Sequence, residues 1–215
     1  MKSLTFRSKI RDHQRLDMSW LSKINTDDIS AIKKTMVCYG NKKYKLSELF
    51  VISGDDFNNI HLTNANDRMD NIGCNFENKT LTIKGNVGYG LARNMHSGEI
   101  NLYGNAGDNA CSGMSGGSVY IHGHAGAGLC CLPTGLNQGL IDGFIYVKKN
   151  VGANSIIRMR RGNVVIEGNI GSNSCLELIS GSVTVLGKIG NNFCHNARRG
   201  TIFTKDKTVC KEFIQ

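Results

Sequence analysis

The side chains best equipped for chemistry are few, and their spacing is regular. Arg160 and Arg198 stand thirty-eight residues apart, as do Arg161 and Arg199, with Arg158 beside the first pair. Aligned guanidinium groups hold carboxylates or phosphates through paired, charge-assisted hydrogen bonds. Cys111, Cys130, Cys175 and Cys194 recur at one position of a repeat and Met95, Met114 and Met159 at another three places further on, and a stack of thiols and thioethers would suit a soft metal. Metal-assisted hydrolysis is poorly served, because His13, His61, His96, His122, His124 and His195 make no HExxH pattern. His122 and His124 flank Gly123, where a strand would turn both outward as polar surface. The carboxylates between Leu81 and Phe203 are Glu99, Asp108, Asp142, Glu167 and Glu177, each at a different phase of the pattern, which disfavours a paired-carboxylate cleavage site.

The elements that must position these groups are copies of one unit. Markers at Gly85, Gly104, Gly123, Lys149, Gly168 and Gly187 are nineteen residues apart except for one step of twenty-six. Four places before each marker are Leu81, Ile100, Val119, Ile145, Val164 and Val183, and two places before it Ile83, Leu102, Ile121, Val147, Ile166 and Val185. Apolar residues two apart describe a short strand with one buried face. Three places after the marker the residue is always glycine; five places after stand Gly90, Asn109, Gly128, Asn154, Asn173 and Asn192, the residues that best tolerate positive φ. A backbone corner therefore recurs in every unit. No unit offers an uninterrupted helical window, and nineteen is not a multiple of six, which excludes a leucine-rich repeat and a hexapeptide-repeat acyltransferase. A parallel β-helix of about seven rungs fits, all-β, with rungs about 4.8 Å apart.

On that frame the cysteine column also contains Ala92 and Ile156, and the methionine column Leu140, Leu178 and Ala197. An internal apolar ladder permits such company and a ligand set does not, so no metal is assigned. The arginines become a stripe, two rungs or roughly 9 to 10 Å apart, facing either solvent or an acidic partner surface or polyanionic ligand.

The net charge is +9, from 26 basic and 17 acidic side chains. Residues up to Thr80 carry +3 (13 basic, 10 acidic) and the remainder +6 (13 basic, 7 acidic), so the repeats are the basic half. No aromatic residues interleave with the arginines, which disfavours nucleic acid. No run approaches a membrane span, and MKSLTFRSKIRDHQ lacks an apolar signal core. The eight cysteines then read as reduced and mostly buried, in a cytoplasmic protein.

Residues 1–61 read as a small α+β cap on the open end of the coil. Ser3–Ser8 alternates like an edge strand; Asn25 or Thr26 caps a helix through about Lys34; Thr35–Tyr39 and Lys43–Leu46 form a hairpin around Gly40-Asn41. Leu62–Thr80 is a worn first rung, the repeats run through residues 62–204, and residues 205–215 are a polar tail. The insertion at residues 129–142 carries Leu129, Cys130, Cys131, Leu132 and Pro133, an apolar loop that reads as either an interface or a plug in the core, the interface being the favoured reading. Asp55, Asp56, Asp67 and Asp70 gather near the junction and read as solvated turns rather than the pocket of an independent enzyme.

The repeat cores GNVGYGLARNMHSGE and GNAGDNACSGMSGGS resemble the domain shared by the C subunit of formylmethanofuran dehydrogenase and the C-terminal part of glutamate synthase. QRLDMSWL, LSELFVISGD and GLCCLPTGLNQGLIDGF are similar to the shorter bacterial form of that subunit, which belongs to the formyltransferase/hydrolase complex. The resemblance covers nearly the whole chain and implies a right-handed coil. It implies a cytoplasmic complex of methylotrophs that passes the formyl group of formyltetrahydromethanopterin to a methanofuran-type carrier, then hydrolyses it to formate. In that family the chemistry is carried by an amidohydrolase-type subunit and a formyltransferase subunit, and no catalytic residue transfers onto this chain. The carriers bear glutamate chains, for which Arg158, Arg160, Arg161, Arg198 and Arg199 are the candidate contacts. The competing reading is a free-standing β-helix interaction module outside formyl transfer.

Overall fold

Alternation of inward and outward side chains builds one long sheet. In a computed structural model, which describes residues 1–11 and 13–207, the elements in chain order are β1 (Ser3–Ser8), β2 (Leu16–Asp17), α1 (Ile29–Lys34), β3 (Met36–Tyr39), β4 (Lys42–Lys45), α2 (Leu46–Leu49), β5 (Phe50–Ser53), β6 (Asp56–Ala65), β7 (Met69–Asp70), β8 (Thr80–Gly85), β9 (Glu99–Tyr103), β10 (Ser118–Ile121), β11 (Phe144–Val147), β12 (Asn163–Ile166), β13 (Ser182–Val185) and β14 (Thr201–Thr204). The ten-stranded sheet has the order β14-β13-β12-β11-β10-β9-β8-β6-β1-β5. From β8 to β14 every pairing is parallel and in register, Leu81 on Ile100, then Val119, Ile145, Val164, Val183 and Ile202. The result is a parallel β-helix of about eight turns with a period of nineteen. Counting rungs from Leu62 gives about seven; the leading strand already begins at Asp56, so the 61/62 boundary falls inside β6.

A second side of the coil is drawn by single bridges linking Val87, Ala106, Ala125, Val151, Ile170 and Ile189. Between the sides lies a continuous core. Leu81, Ile83, Ile100 and Leu102 are fully buried, as are Ala92, Cys111, Cys130, Ile156 and Cys175, with Met95, Met114 and Met159 beneath them. The thiol and thioether columns are thus packing, and burial pushes the Cys130 and Cys175 thiols well up.

The corner is more strained than the residue types announce. Positive φ occurs where Asn and Gly stand five places after the marker, but it recurs two places further on, in Ala92, Cys111, Cys130, Ile156, Cys175 and Cys194. The reason is hydrogen bonding between turns. The Gly90 N–H donates forward to Asp108 O (2.9 Å), while the Ala92 N–H donates back to Ile72 O (2.9 Å), and the pattern repeats at Asn109 with Ala127 and Cys111 with Leu91. Alternating left-handed residues let one corner bond to both neighbours, which offsets a cost of about 1–2 kcal/mol per left-handed L-residue.

The glycine three places after each marker serves a different end. Gly152 and Gly171 do not need positive φ; a Cβ on Gly152 would lie 2.6 Å from Ala127 N, and one on Gly171 2.5 Å from Ala153 N. Adjacent turns simply approach too closely there for a side chain.

The cap is fused to the coil. β1 is not an edge strand: it lies between β6, parallel to it (Phe6 opposite Leu62), and β5, antiparallel to it (Phe6 opposite Ile52). Alternation reveals one buried face and says nothing of how many neighbours a strand has. Phe6, Trp20 and Phe50 meet edge to face with centroids 5.6 to 6.1 Å apart, sealing the end of the core. α1 starts later than expected, its N-cap being Asp28, whose Oδ1 accepts the Ser30 N–H at 2.7 Å. The β3–β4 hairpin forms as the Gly40-Asn41 pair predicts. Residues 205–207 lie beyond β14, and the rest of the expected tail falls outside the described residues.

Candidate functional site

The arginine stripe lies where one face of the coil leaves the corner. The Arg160 N–H donates to Leu140 O, the Ile179 N–H to Met159 O and the Arg198 N–H to Leu178 O, all at 2.8 to 2.9 Å, so the three residues occupy successive turns of one column. Arg160 and Arg198 are therefore two turns apart with Ile179 between them, and Arg161 and Arg199 flank Ser180 in the next column. All four arginines are exposed. Arg160 reaches Gln138 Oε1 of the insertion at 3.4 Å. Arg158 stands apart from them: half-buried, with φ 53°, it has Nε 3.8 Å from Glu177 Oε2 on the following turn. Four guanidinium groups face outward together, while the fifth is partly neutralised by its neighbour.

Arg198 and Arg199 border an open concavity of about 380 Å³, floored by Leu178, Cys194, Ala197 and Ile202 at the last turn. Cys194 accepts a hydrogen bond from the buried Cys175 thiol, which holds the Cys194 pKa below the ordinary thiol value.

The insertion is less apolar at its surface than its sequence suggests. Leu129, Cys130 and Leu140 are fully buried members of the coil's core, and Pro133 is also buried. Of the large apolar side chains only Leu136, 47% accessible, projects from the loop. Cys131 Sγ lies 3.3 Å from Asn109 Oδ1, and the Ser112 hydroxyl donates to Cys131 O at 3.0 Å, pinning the loop base to the turn before it.

The structure parts the two histidines. His122 stacks on Tyr103, ring centroids 4.4 Å apart, on the outer face of the sheet. Nδ1 of His124 accepts the Asn150 N–H at 3.3 Å. That contact is one link in a ladder overlooked in the sequence, in which Asn86 accepts from the Asn105 N–H, Asn105 from His124, Asn150 from Asn169 and Asn169 from Lys188, at 2.8 to 3.0 Å. The signal was the asparagine directly after most markers. Among the described residues no three His, Cys, Asp or Glu side chains gather as a metal site. The junction aspartates disperse into turns and caps: Asp56 accepts from the Asn58 N–H, Asp55 from the Lys2 N–H, and Asp70 pairs with Arg15. No helix among the described residues is long and apolar enough to cross a membrane.

These repeats also decide the family, since residues 62–214 match the model of the GXGXG motif. The chain belongs to the GXGXG family. The coil also superposes on a chain of the formyltransferase/hydrolase complex (FhcABCD) from Methylorubrum extorquens, solved in complex with methylofuran, with a TM-score of 0.85. The two are 23% identical over 93% of this GXGXG chain and 76% of the other, a likeness that establishes the shared fold. No curated protein matches.

Proposed function

We propose that this chain is the non-catalytic, β-helical member of a cytoplasmic formyltransferase/hydrolase complex, holding amidohydrolase-type and formyltransferase subunits in fixed relation during one-carbon oxidation. The observation that carries this reading is the superposition over 93% of the chain on a chain of such a complex. A hydrogen-bonded coil with glycine-tight turns resists bending, which suits a spacer between active sites that share a substrate.

The exposed Arg160, Arg161, Arg198 and Arg199 would hold the glutamate chain of a methanofuran-type carrier. Groups at two-turn spacing grip a flexible polycarboxylate at several points without fixing it in one pose, so its reactive end stays free to move. Arg158, paired with Glu177, contributes less.

Native mass spectrometry of the tagged protein, purified from its own host at low salt, tests the assembly. Co-purified amidohydrolase and formyltransferase subunits are expected; a stable chain alone or with itself would favour the interaction-module reading instead. Replacing the four exposed arginines by Ser is expected to raise the KM for the carrier, most at low salt, with the complex intact. Loss of assembly would make the stripe a contact between subunits.

A further inference from the structure

The outer face of the ten-stranded sheet has no assigned role, and its side chains are sorted. One outward column runs from Arg7 through Thr63 and Lys84 to Tyr103, and the stack on His122 and then Lys148 continue it. The adjacent column brings Tyr120 beside Tyr146, with Phe144 against Tyr120, centroids 6.4 and 5.6 Å apart. Five rings on three neighbouring strands thus form one flat patch, with Tyr103 52% accessible at its edge.

The charges on this face are unequal in kind as well as number. Glu99 already accepts from Asn101 Nδ2 (2.6 Å) and Glu167 from the Tyr146 hydroxyl (2.7 Å). Arg7, Lys84 and Lys148 make no ion pair or side-chain hydrogen bond among the described residues. The face therefore offers an aromatic centre and unused cations, while its carboxylates are occupied. Flatness argues against a small ligand, which needs a concave site. A second copy would bring the unpaired Lys84 and Lys148 toward cations of its own kind, while Glu99 and Glu167 are held by Asn101 and Tyr146, and like charge opposes that pairing.

We propose that this face docks another protein subunit through an apolar patch rimmed by Asp and Glu, the rings filling the desolvated centre and Lys84 and Lys148 meeting carboxylates at the rim. The inference rests on the reading of the chain as a subunit and names the surface that reading needs. It leaves the arginine stripe, at the corner that precedes β12 and β14, free for a ligand.

The test uses the full tagged chain purified from its host, with p-benzoylphenylalanine replacing Tyr103 for photo-crosslinking. Two variants accompany it, Lys84→Glu with Lys148→Glu, and Tyr103→Ser with Tyr120→Ser. The expected result is a cross-linked peptide from one identified subunit with Asp or Glu nearby, and at least tenfold less of that subunit recovered with either variant at an unchanged Tm. If the unaltered chain keeps its subunits, both variants keep them too and position 103 cross-links to nothing, the face is free and the proposal fails while the subunit reading stands. If the unaltered chain carries no subunit, both fail together. A nuclease-sensitive cross-link would assign the face to nucleic acid and overturn the proposal. Where a variant lowers the Tm, the cross-link alone decides.

Discussion

Arg15 of the cap grips both carboxylate oxygens of Asp70 on the first turn, Nε to Oδ2 at 2.6 Å and Nη2 to Oδ1. The same Oδ1 accepts the Tyr89 N–H of the next turn at 2.8 Å. One carboxylate thus ties cap, first turn and second turn together where β2 pairs with β7. Asp70→Asn keeps an acceptor for Tyr89 and removes the charge that Arg15 needs. Because the Arg15 side chain is 50% accessible and screened, the expected loss is about 1 kcal/mol. Hydrogen exchange checks it: amides around Leu16 and Met18 should exchange faster, while those of β10 to β12 stay protected.

Gly152 and Asn154 sit in one turn and answer to different constraints. A Cβ at Gly152 would strike the backbone of the preceding turn, 2.6 Å from Ala127 N and 2.7 Å from Gly126 C. Neither atom can yield without parting two turns, so Gly152→Ala is expected to cost about 2–3 kcal/mol. Asn154, exposed at φ 57°, needs only a left-handed backbone, and Asn154→Gly should stay within about 0.5 kcal/mol. Urea denaturation midpoints would separate them; equal effects would mean that the invariant glycine column is conformational after all.

The contrast between those two residues shows what a sequence of this kind discloses. Inward columns are legible because each turn buries the same positions against its neighbours, so Leu81, Ile100 and Val119 declare the strand, its face and its register together. Close approach of backbone is legible only as an unexplained glycine, and left-handed geometry at Ile156 or Cys175 is not legible at all, since it is imposed by bonds between turns. The site divides the same way. Spacing by twice the period aligns Arg160 with Arg198, but it cannot show that Arg158, two residues away, turns toward Glu177. The aromatic face is invisible in any single repeat, because Tyr103, Tyr120 and Phe144 occupy three different outward columns and meet only once the strands are stacked.

His124 is the weak link in the asparagine ladder. Its Nδ1 accepts the Asn150 N–H at 3.3 Å, against 2.8 to 3.0 Å where asparagine oxygens accept, and it accepts only while that nitrogen carries no proton. His124→Asn should make the ladder uniform from Asn86 to Lys188. A gain of about 0.5–1 kcal/mol follows, or a rise of about 2 °C in Tm for a chain of this size. Calorimetry checks the sign: an unchanged or lower Tm would show that the imidazole contributes more by packing than the ladder gains.

The Tyr146 hydroxyl donates to Glu167 Oε1 at 2.7 Å, and this hydrogen bond, with a smaller contribution from burial, raises the phenol above its ordinary pKa of 10.0. A raised folded-state pKa means that folding favours the protonated phenol. Its contribution to stability is therefore complete below pH 10 and is lost as pH climbs through the folded-state value. Both side chains sit at the surface, so the effect is local. Ultraviolet titration at alkaline pH should show one tyrosine ionising at lower pH in Glu167→Gln, and that late-ionising component should be missing altogether from Tyr146→Phe. A Glu167→Gln profile that overlays the original would mean the carboxylate is turned away from the ring in solution, leaving Glu167 as a free acid on the face proposed for docking.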